Sequence, residues 1–172
     1  MKTYICEICG DAYIGTDKPK NCPFCGVDEI YIKNGNEADP IVNGEYEIDE
    51  ITKKNLETTL ALELNATALY LCMAKKAKTY EIKAMYKRLA KVEKEHASIA
   101  KKLLKLDSME IPERDCDEET EENFKKTIAL EKNASSLYDR FAEEAKEERI
   151  KTLFKAISEA EKEHINLIEN YL

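Results

Sequence analysis

The chain has 172 residues, room for one ordinary domain or a small module joined to a larger one. Its net charge of -8 speaks against a nucleic-acid surface, and the basic pairs Lys75–Lys76 and Lys101–Lys102 read as solvated helix face broken up by acidic neighbours. Glu63 interrupts the longest apolar stretch short of the ~18 residues of a membrane span, so no membrane role is expected. The N-terminal MKTYICEIC lacks the apolar core and small-residue cleavage site of a signal peptide, which points to the cytoplasm. There, the six cysteines are expected as thiolates or metal ligands and not as disulfides. Charged residues at 36%, hydrophobic ones at 43% and no tryptophan suit long amphipathic helices.

Residues 1–36 carry Cys6-Glu7-Ile8-Cys9-Gly10 and Cys22-Pro23-Phe24-Cys25-Gly26. Each Cys-x-x-Cys pair can close a tight turn with both sulfurs on one side, and the following glycine lets the backbone pass close to a sulfur. Two such knuckles facing each other make a tetrahedral four-thiolate site for one metal ion, and zinc and iron both accept that geometry. The segment Asn34–Asp49, with Gly35, Pro40, Gly44 and several acids, has the composition of a linker. The chain therefore divides into a module at 1–36, a linker at 37–50 and a helical domain at 51–172.

That helical domain is duplicated. Residues 55–104 match 123–172 without a gap, with 20 identities in 50 positions. Two copies are too few for a solenoid, so one closed domain built from two similar halves is expected. Each half has apolar residues at three- and four-residue steps in two runs, the mark of a helical hairpin. In the first half Glu63 precedes the word Glu93-Lys94-Glu95-His96 by thirty positions; in the second Glu131 precedes Glu161-Lys162-Glu163-His164 by the same interval. The midpoints are Lys78 and Lys146, both in leucine-free stretches where a turn is plausible. Turns there bring Glu63, Glu93 and His96 to one level in one hairpin, and Glu131, Glu161 and His164 to one level in the other. The Asp107–Thr120 segment, with Pro112 and a run of acids, can span ~46–50 Å. That covers the length of a helix of about 40 Å, so it can cross the bundle and relate the halves by a pseudo-twofold axis.

Positions i and i+3 lie about 60° apart around a helix and ~4.5 Å along it. Glu93 with His96, and Glu161 with His164, can thus reach one metal centre, joined by Glu63 and Glu131 from the other two helices. Glu95 and Glu163 fall about 200° away and should be solvated. One glutamate from each of two helices plus Glu-x-x-His from each of the other two is the ligand set of ferritin-like di-iron or di-manganese bundles. Four carboxylates balance two divalent cations, and hard oxygen with imidazole nitrogen suits iron or manganese.

The second knuckle, with Tyr4, Tyr13 and Phe24 to pack around it, resembles rubredoxin, and the twelve-residue interval between knuckles resembles the compact form appended to rubrerythrins. Over almost its whole length the chain resembles the rubrerythrin family, of the reverse type with the cysteine module first. The resemblance implies a mainly α fold: a ferritin-like four-helix bundle with a long crossover, preceded by a small rubredoxin-like module. It implies one iron on Cys6, Cys9, Cys22 and Cys25 (zinc being possible in recombinant protein) and two irons in a carboxylate-bridged site on Glu63, Glu93, His96, Glu131, Glu161 and His164. Tyr70 and Tyr138, two turns beyond the lone glutamates, become hydrogen-bond donors to ligand carboxylates, with simple core packing as the alternative.

The implied activity is a peroxidase of oxidative-stress defence, reducing hydrogen peroxide to water with electrons relayed from the four-cysteine iron. The implied partners are an external donor such as an NAD(P)H-dependent reductase or rubredoxin, and at least a second copy of the chain, since the family joins the two centres across a head-to-tail dimer. Many rubrerythrins have a further ligand glutamate where this chain has Ala134, whose repeat mate is Ala66. The six-ligand symmetric set keeps dioxygen reduction or ferrous oxidation open as the rival activity, and a metal-binding protein with a structural zinc ribbon as the rival of another class. Cys72, about 180° from Glu63 around its helix, is expected as a packing residue or subunit contact. Cys116, among acids, is expected as a thiol of raised pKa and low reactivity.

Overall fold

Tyr4 and Cys6 turn inward from Lys2–Cys6 (β1), which pairs antiparallel with Ala12–Gly15 (β2) on one side and with Ile32–Asn34 (β3) on the other. The computed structural model describes residues 1–172. The two cysteine knuckles repeat one hydrogen-bond pattern at the open end of this sheet. Gly10 N donates to Cys6 O at 2.9 Å and Cys6 N to Asp11 O at 3.1 Å; Gly26 N donates to Cys22 O at 3.0 Å and Cys22 N to Val27 O at 2.7 Å. Both turns close through a left-handed residue, Gly10 at φ 83° and Gly26 at φ 79°, a conformation a β-carbon would strain.

Four helices follow: α1 (Glu50–Lys76), α2 (Tyr80–Leu103), α3 (Thr120–Glu144) and α4 (Glu148–Glu169). Asp49 caps α1 by accepting from Thr52 N at 2.8 Å, and Thr79 caps α2 by accepting from Ile82 N at 3.2 Å. The hairpin turns occupy 77–79 and 145–147, around Lys78 and Lys146. On α2 the buried stripe Ile82, Tyr86, Leu89, Val92, His96, Ile99 and Leu103 advances by three or four residues and faces the bundle axis. Tyr138, Phe141 and Phe154 fill the matching space between α3 and α4 with edge and stacked ring contacts. No helix is long and apolar enough to cross a membrane.

Past α2, Lys105 adopts φ 55° and Leu106 N reaches back to Lys101 O at 3.1 Å, a left-handed stop that turns the chain into the crossover. The crossover is bolted to α1. Cys116 forms a disulfide with Cys72, and the Lys76 ammonium one turn on donates to Cys116 O at 2.7 Å while pairing with Asp115 at 2.9 Å and Glu118 at 2.7 Å. This corrects the expectation of free, unpaired thiols at both positions. Cys72 points away from the metal ligands as its helical angle requires, and that outer face is where the crossover runs. The pairing follows from the path of a segment whose route the sequence leaves open, 44 residues away.

The linker is also more than a tether. Ile41 is buried, its N–H donates to Glu7 O at 2.7 Å, Tyr46 OH donates back to Ile41 O at 3.0 Å, and Arg149 of α4 pairs with Asp39 at 3.1 Å. This folds the cysteine module back onto α2 and α4 of its own chain, and one apolar cluster runs from Cys6, Ile8 and Val27 through Ile99 and Ala160 to Phe154.

Closing a loop of 44 residues with a disulfide removes chain entropy worth about 4 kcal/mol of unfolding free energy. Cys116→Ser, or reduction of the native chain, should therefore lower the thermal midpoint by several degrees with the helical circular-dichroism signal retained; equal midpoints with and without reductant would show that the bond carries no stability.

Candidate metal centres

At the cysteine site the two knuckles bring the four sulfurs within 4.8 Å of one another, with Cys6 Sγ 3.7 Å from Cys25 Sγ and Cys9 Sγ 3.8 Å from Cys22 Sγ. All four are buried and free of disulfides, and Asp11 N points at Cys9 Sγ from 3.5 Å. Their proton affinities are forced apart. The hydrogen bond with Cys22 holds the Cys9 thiol up and burial pushes Cys25 up, while the thiols of Cys25 and Cys6 pull Cys22 down. Four thiolates at this spacing repel one another unless a cation sits among them, which is the condition a tetrahedral metal satisfies.

In the bundle, Glu63 on α1, Glu93 and His96 on α2, Glu131 on α3, and Glu161 and His164 on α4 converge at mid-height, all buried. Their donor atoms form two overlapping clusters. Glu63, Glu93, His96 and Glu161 lie within 4.8 Å of one another, as do Glu93, Glu131, Glu161 and His164. Glu93 and Glu161 belong to both clusters and are placed to span two ions, while Glu63 with His96 closes one end and Glu131 with His164 the other. His96 Nδ1 lies 2.9 Å from Glu161 and 3.2 Å from Glu93; His164 Nδ1 lies 2.9 Å from Glu161 and 3.2 Å from Glu93.

The chemistry of this set fits metal. Both carboxylate oxygens of Glu93 and of Glu161, and Nδ1 of both histidines, are buried without a hydrogen-bond partner, an arrangement too costly to persist unless something of opposite charge occupies the centre. Proton affinities show the same need. Burial, reinforced by Glu161 and Glu93, pushes Glu63 far above the carboxylate range, and burial with Glu93 and Glu161 pushes Glu131 up to about 8. Burial alone would push both histidines down, but the facing carboxylates (Glu161 foremost for His96, Glu93 for His164) outweigh it and push them up; against its own burial Glu161 is pulled down by His96 and His164. Without metal the site gathers protons in place of cations.

The tyrosines join the halves crosswise. Tyr70 OH on α1 donates to Glu131 of α3, and Tyr138 OH on α3 donates to Glu63 of α1. Each hydroxyl therefore orients the end carboxylate of the opposite hairpin, through the same oxygen that faces that cluster's histidine, at 3.6 Å for Glu131 and His164 and 3.9 Å for Glu63 and His96. Burial raises the pKa of both phenols well above normal, so they remain donors.

The ring of His96 is fixed from behind. Its Nε2 lies 2.7 Å from the carbonyl oxygen of Cys25 and can only donate there, which leaves the Nδ1 lone pair facing the carboxylates. This backbone partner has no residue signature, so sequence reasoning missed it. Glu163 is exposed as its helical angle demands, but its repeat mate Glu95 departs from that expectation. The cysteine module covers it, its Oε1 is buried near Asp11 and Cys9, Lys102 stands 3.7 Å away, and burial with Asp11 raises its pKa. Ala66 and Ala134 are both buried and offer no further carboxylate.

Fold and site together define a ferritin-type carboxylate–histidine bundle carrying a four-cysteine knuckle module ahead of it. The rubrerythrin family model matches residues 54–121 and 122–172, one repeat half each, and the chain belongs to the rubrerythrin family. It is 34% identical over 113 residues to reverse rubrerythrin-1 of Clostridium acetobutylicum, a match over 60% of this chain and 62% of that protein, so the likeness spans less than two thirds of the relative. Among solved structures, a hypothetical protein from Pyrococcus furiosus superposes with a TM-score of 0.58 at 22% identity, over 70% of this chain and 87% of the other, a likeness of fold.

Because Glu131 holds a proton up to about pH 8 and both histidines are held protonated, loading two divalent ions must expel protons. Apparent affinity for ferrous iron should fall as pH drops below about 8, and calorimetry in buffers of different ionisation enthalpy should register net proton release; uptake independent of pH would contradict this. Tyr138→Phe, which frees Glu63, should weaken binding at one of the two bundle positions by about 10–100-fold and leave the cysteine site unaffected.

Proposed function

We propose that this chain is a non-haem di-iron peroxidase of oxidative-stress defence, reducing hydrogen peroxide to water with electrons relayed from a four-cysteine iron. Cys6, Cys9, Cys22 and Cys25 would hold the single iron, and Glu63, Glu93, His96, Glu131, Glu161 and His164 the pair. When bound, the paired metal supplies the two electrons that split the O–O bond, and the cysteine-bound metal replaces them one at a time. One peroxide, two electrons and two protons give two waters.

The observation that carries this reading is the 2.7 Å bond from His96 Nε2 to Cys25 O, which links a residue of each centre within one chain. The chain's residues divide the remaining work. Glu93 and Glu161 span the two positions, and Tyr70 and Tyr138 hold Glu131 and Glu63 in place. The closed core keeps bulk water from the reduced site. His164 is the most exposed of the six ligands, and Gly26, which stands beside it, lines a cavity of ≈ 400 Å³ between the module and α4. In this reading peroxide enters from that side. A symmetric six-ligand set without a carboxylate at Ala66 or Ala134 supports a second reading, in which dioxygen or ferrous ion is the substrate.

Stopped-flow mixing of anaerobically reduced protein separates these readings. Stoichiometric peroxide should reoxidise it at least about tenfold faster than dissolved dioxygen does. Reoxidation by peroxide no faster than in anaerobic buffer would end the peroxidase reading, and faster reaction with dioxygen would favour its rival. With zinc in the cysteine site and iron in the bundle, single-turnover reoxidation should persist while turnover on an external donor stops.

A further inference from the structure

The cations of α2 are unlike the others near them in the chain. Lys78 pairs with Glu119 and Lys102 with Glu95, but Lys83, Lys87, Arg88, Lys91 and Lys94 between them form no ion pair. All five are exposed. Lys83, Lys87, Lys91 and Lys94 fall within about 80° around the helix, so they form a single stripe with Arg88 beside it. No acid of their own helix pairs with them: Glu93 points into the bundle and is fully buried, Glu95 pairs with Lys102, and Glu81 accepts from Tyr171 OH. The stripe therefore presents uncompensated positive charge on a chain whose net charge is -8.

Two further observations give the stripe a use. A groove of ≈ 590 Å³ runs beneath it, walled by Lys87, Arg88, Lys91 and Lys94, with Leu71 of α1 and Ile111 of the crossover in its floor. Both are large apolar side chains left exposed, Leu71 by 46% and Ile111 by 37%. At its edge the stripe also meets the cysteine module. Arg88 Nη2 reaches the carbonyl oxygen of Phe24, the residue just before Cys25, at 3.5 Å. Positive charge, apolar floor and cysteine knuckle are thus continuous.

We propose that this face docks a small acidic one-electron carrier protein, seating its redox group against the Cys22–Cys25 knuckle. The proposal rests on the reading of the cysteine iron as the point where electrons arrive. One electron leaves the reduced carrier and converts the cysteine-bound iron from ferric to ferrous; no bond forms and no proton moves. Net negative charge elsewhere on the chain repels an acidic partner and leaves this face as the attractive one, which speeds encounter and fixes orientation. The groove floor supplies the apolar contact that holds the encounter complex once the charges have aligned it.

The test uses the holo-protein with an acidic flavodoxin as probe. Binding is measured by calorimetry with both proteins oxidised, so that no electron moves, at low and at physiological ionic strength. Lys87→Glu/Lys91→Glu/Lys94→Glu should raise Kd by about tenfold or more at low salt, and added salt should weaken wild-type binding. The control Lys53→Glu/Lys54→Glu/Lys132→Glu, which makes the same change in net charge elsewhere, should bind like wild type. Reduction of the cysteine iron by reduced flavodoxin should slow in parallel with Kd, while single-turnover reoxidation by peroxide stays unchanged. Equal Kd values in the two triple variants overturn the proposal, as does wild-type binding indifferent to salt. A loss of self-association in the α2 variant, with its flavodoxin Kd unchanged, overturns it in favour of a second copy of the chain on this face. Failure of peroxide to reoxidise the protein would sink the peroxidase reading alone, since binding and reduction are read before that step.

Discussion

Burying four glutamates and two histidines at the centre of a four-helix bundle is the constraint on which the rest of the structure turns. Each charge taken from water into such an interior costs several kcal/mol unless it is answered there. The chain answers some of it with protein. Tyr70 and Tyr138 donate to the two end carboxylates, and Cys25 fixes one imidazole from outside. What is left unanswered is confined to the oxygens of Glu93 and Glu161 and the Nδ1 atoms, the atoms that face one another across the centre. The apolar packing of the bundle keeps these groups at mutual distances they would otherwise escape, so the energy stored in their repulsion becomes selectivity for cations of matching charge.

Most of this centre was legible in the chain because duplication wrote it twice. A lone Glu63 or Glu131 in a helix is ordinary; the same glutamate at the same distance before Glu-x-x-His in both halves constrains the turns, the helix lengths and the ligands together. The hairpin turns fall around Lys78 and Lys146 for the same reason. Local rules sufficed for the knuckles also, since Cys-x-x-Cys-Gly carries its own turn geometry and needs little from the surrounding fold.

What the chain did not disclose depends on contacts between segments without periodicity. The Cys72–Cys116 bond depends on the crossover lying along the outer face of α1, and neither the crossover's composition nor the cysteines' spacing specifies that route. The linker read as a spacer because its glycines, proline and acids look like one, yet Ile41 in it is buried against the module and bundle, Tyr46 bonds back to it, and Asp39 pairs with Arg149 of α4. The crossed tyrosine contacts were half legible. Helical spacing put Tyr70 and Tyr138 at the right height, but which glutamate each would meet depends on how the two hairpins dock.

Those unpatterned contacts break the symmetry that duplication built. Glu95 and Glu163 occupy equivalent positions in the repeat, and the module half-buries one while leaving the other in water. His96 and His164 are equivalent as well, but His96 lies under the Cys25 carbonyl, fully enclosed, and His164 sits beside Gly26 with a small window to solvent. A left-handed glycine stands beside that window. A β-carbon at Gly26 would stand 3.8 Å from His164 Nε2 and would strain the turn that aims Cys25. The same small module thus closes one end of a symmetric ligand set and leaves the other approachable. In the proposed reading this separates the side from which electrons arrive from the side on which the oxidant binds. Six ligands copied from one hairpin could not make that distinction alone; the asymmetry comes from the module, held in place by the linker, the apolar cluster it shares with the bundle and the His96 contact to Cys25.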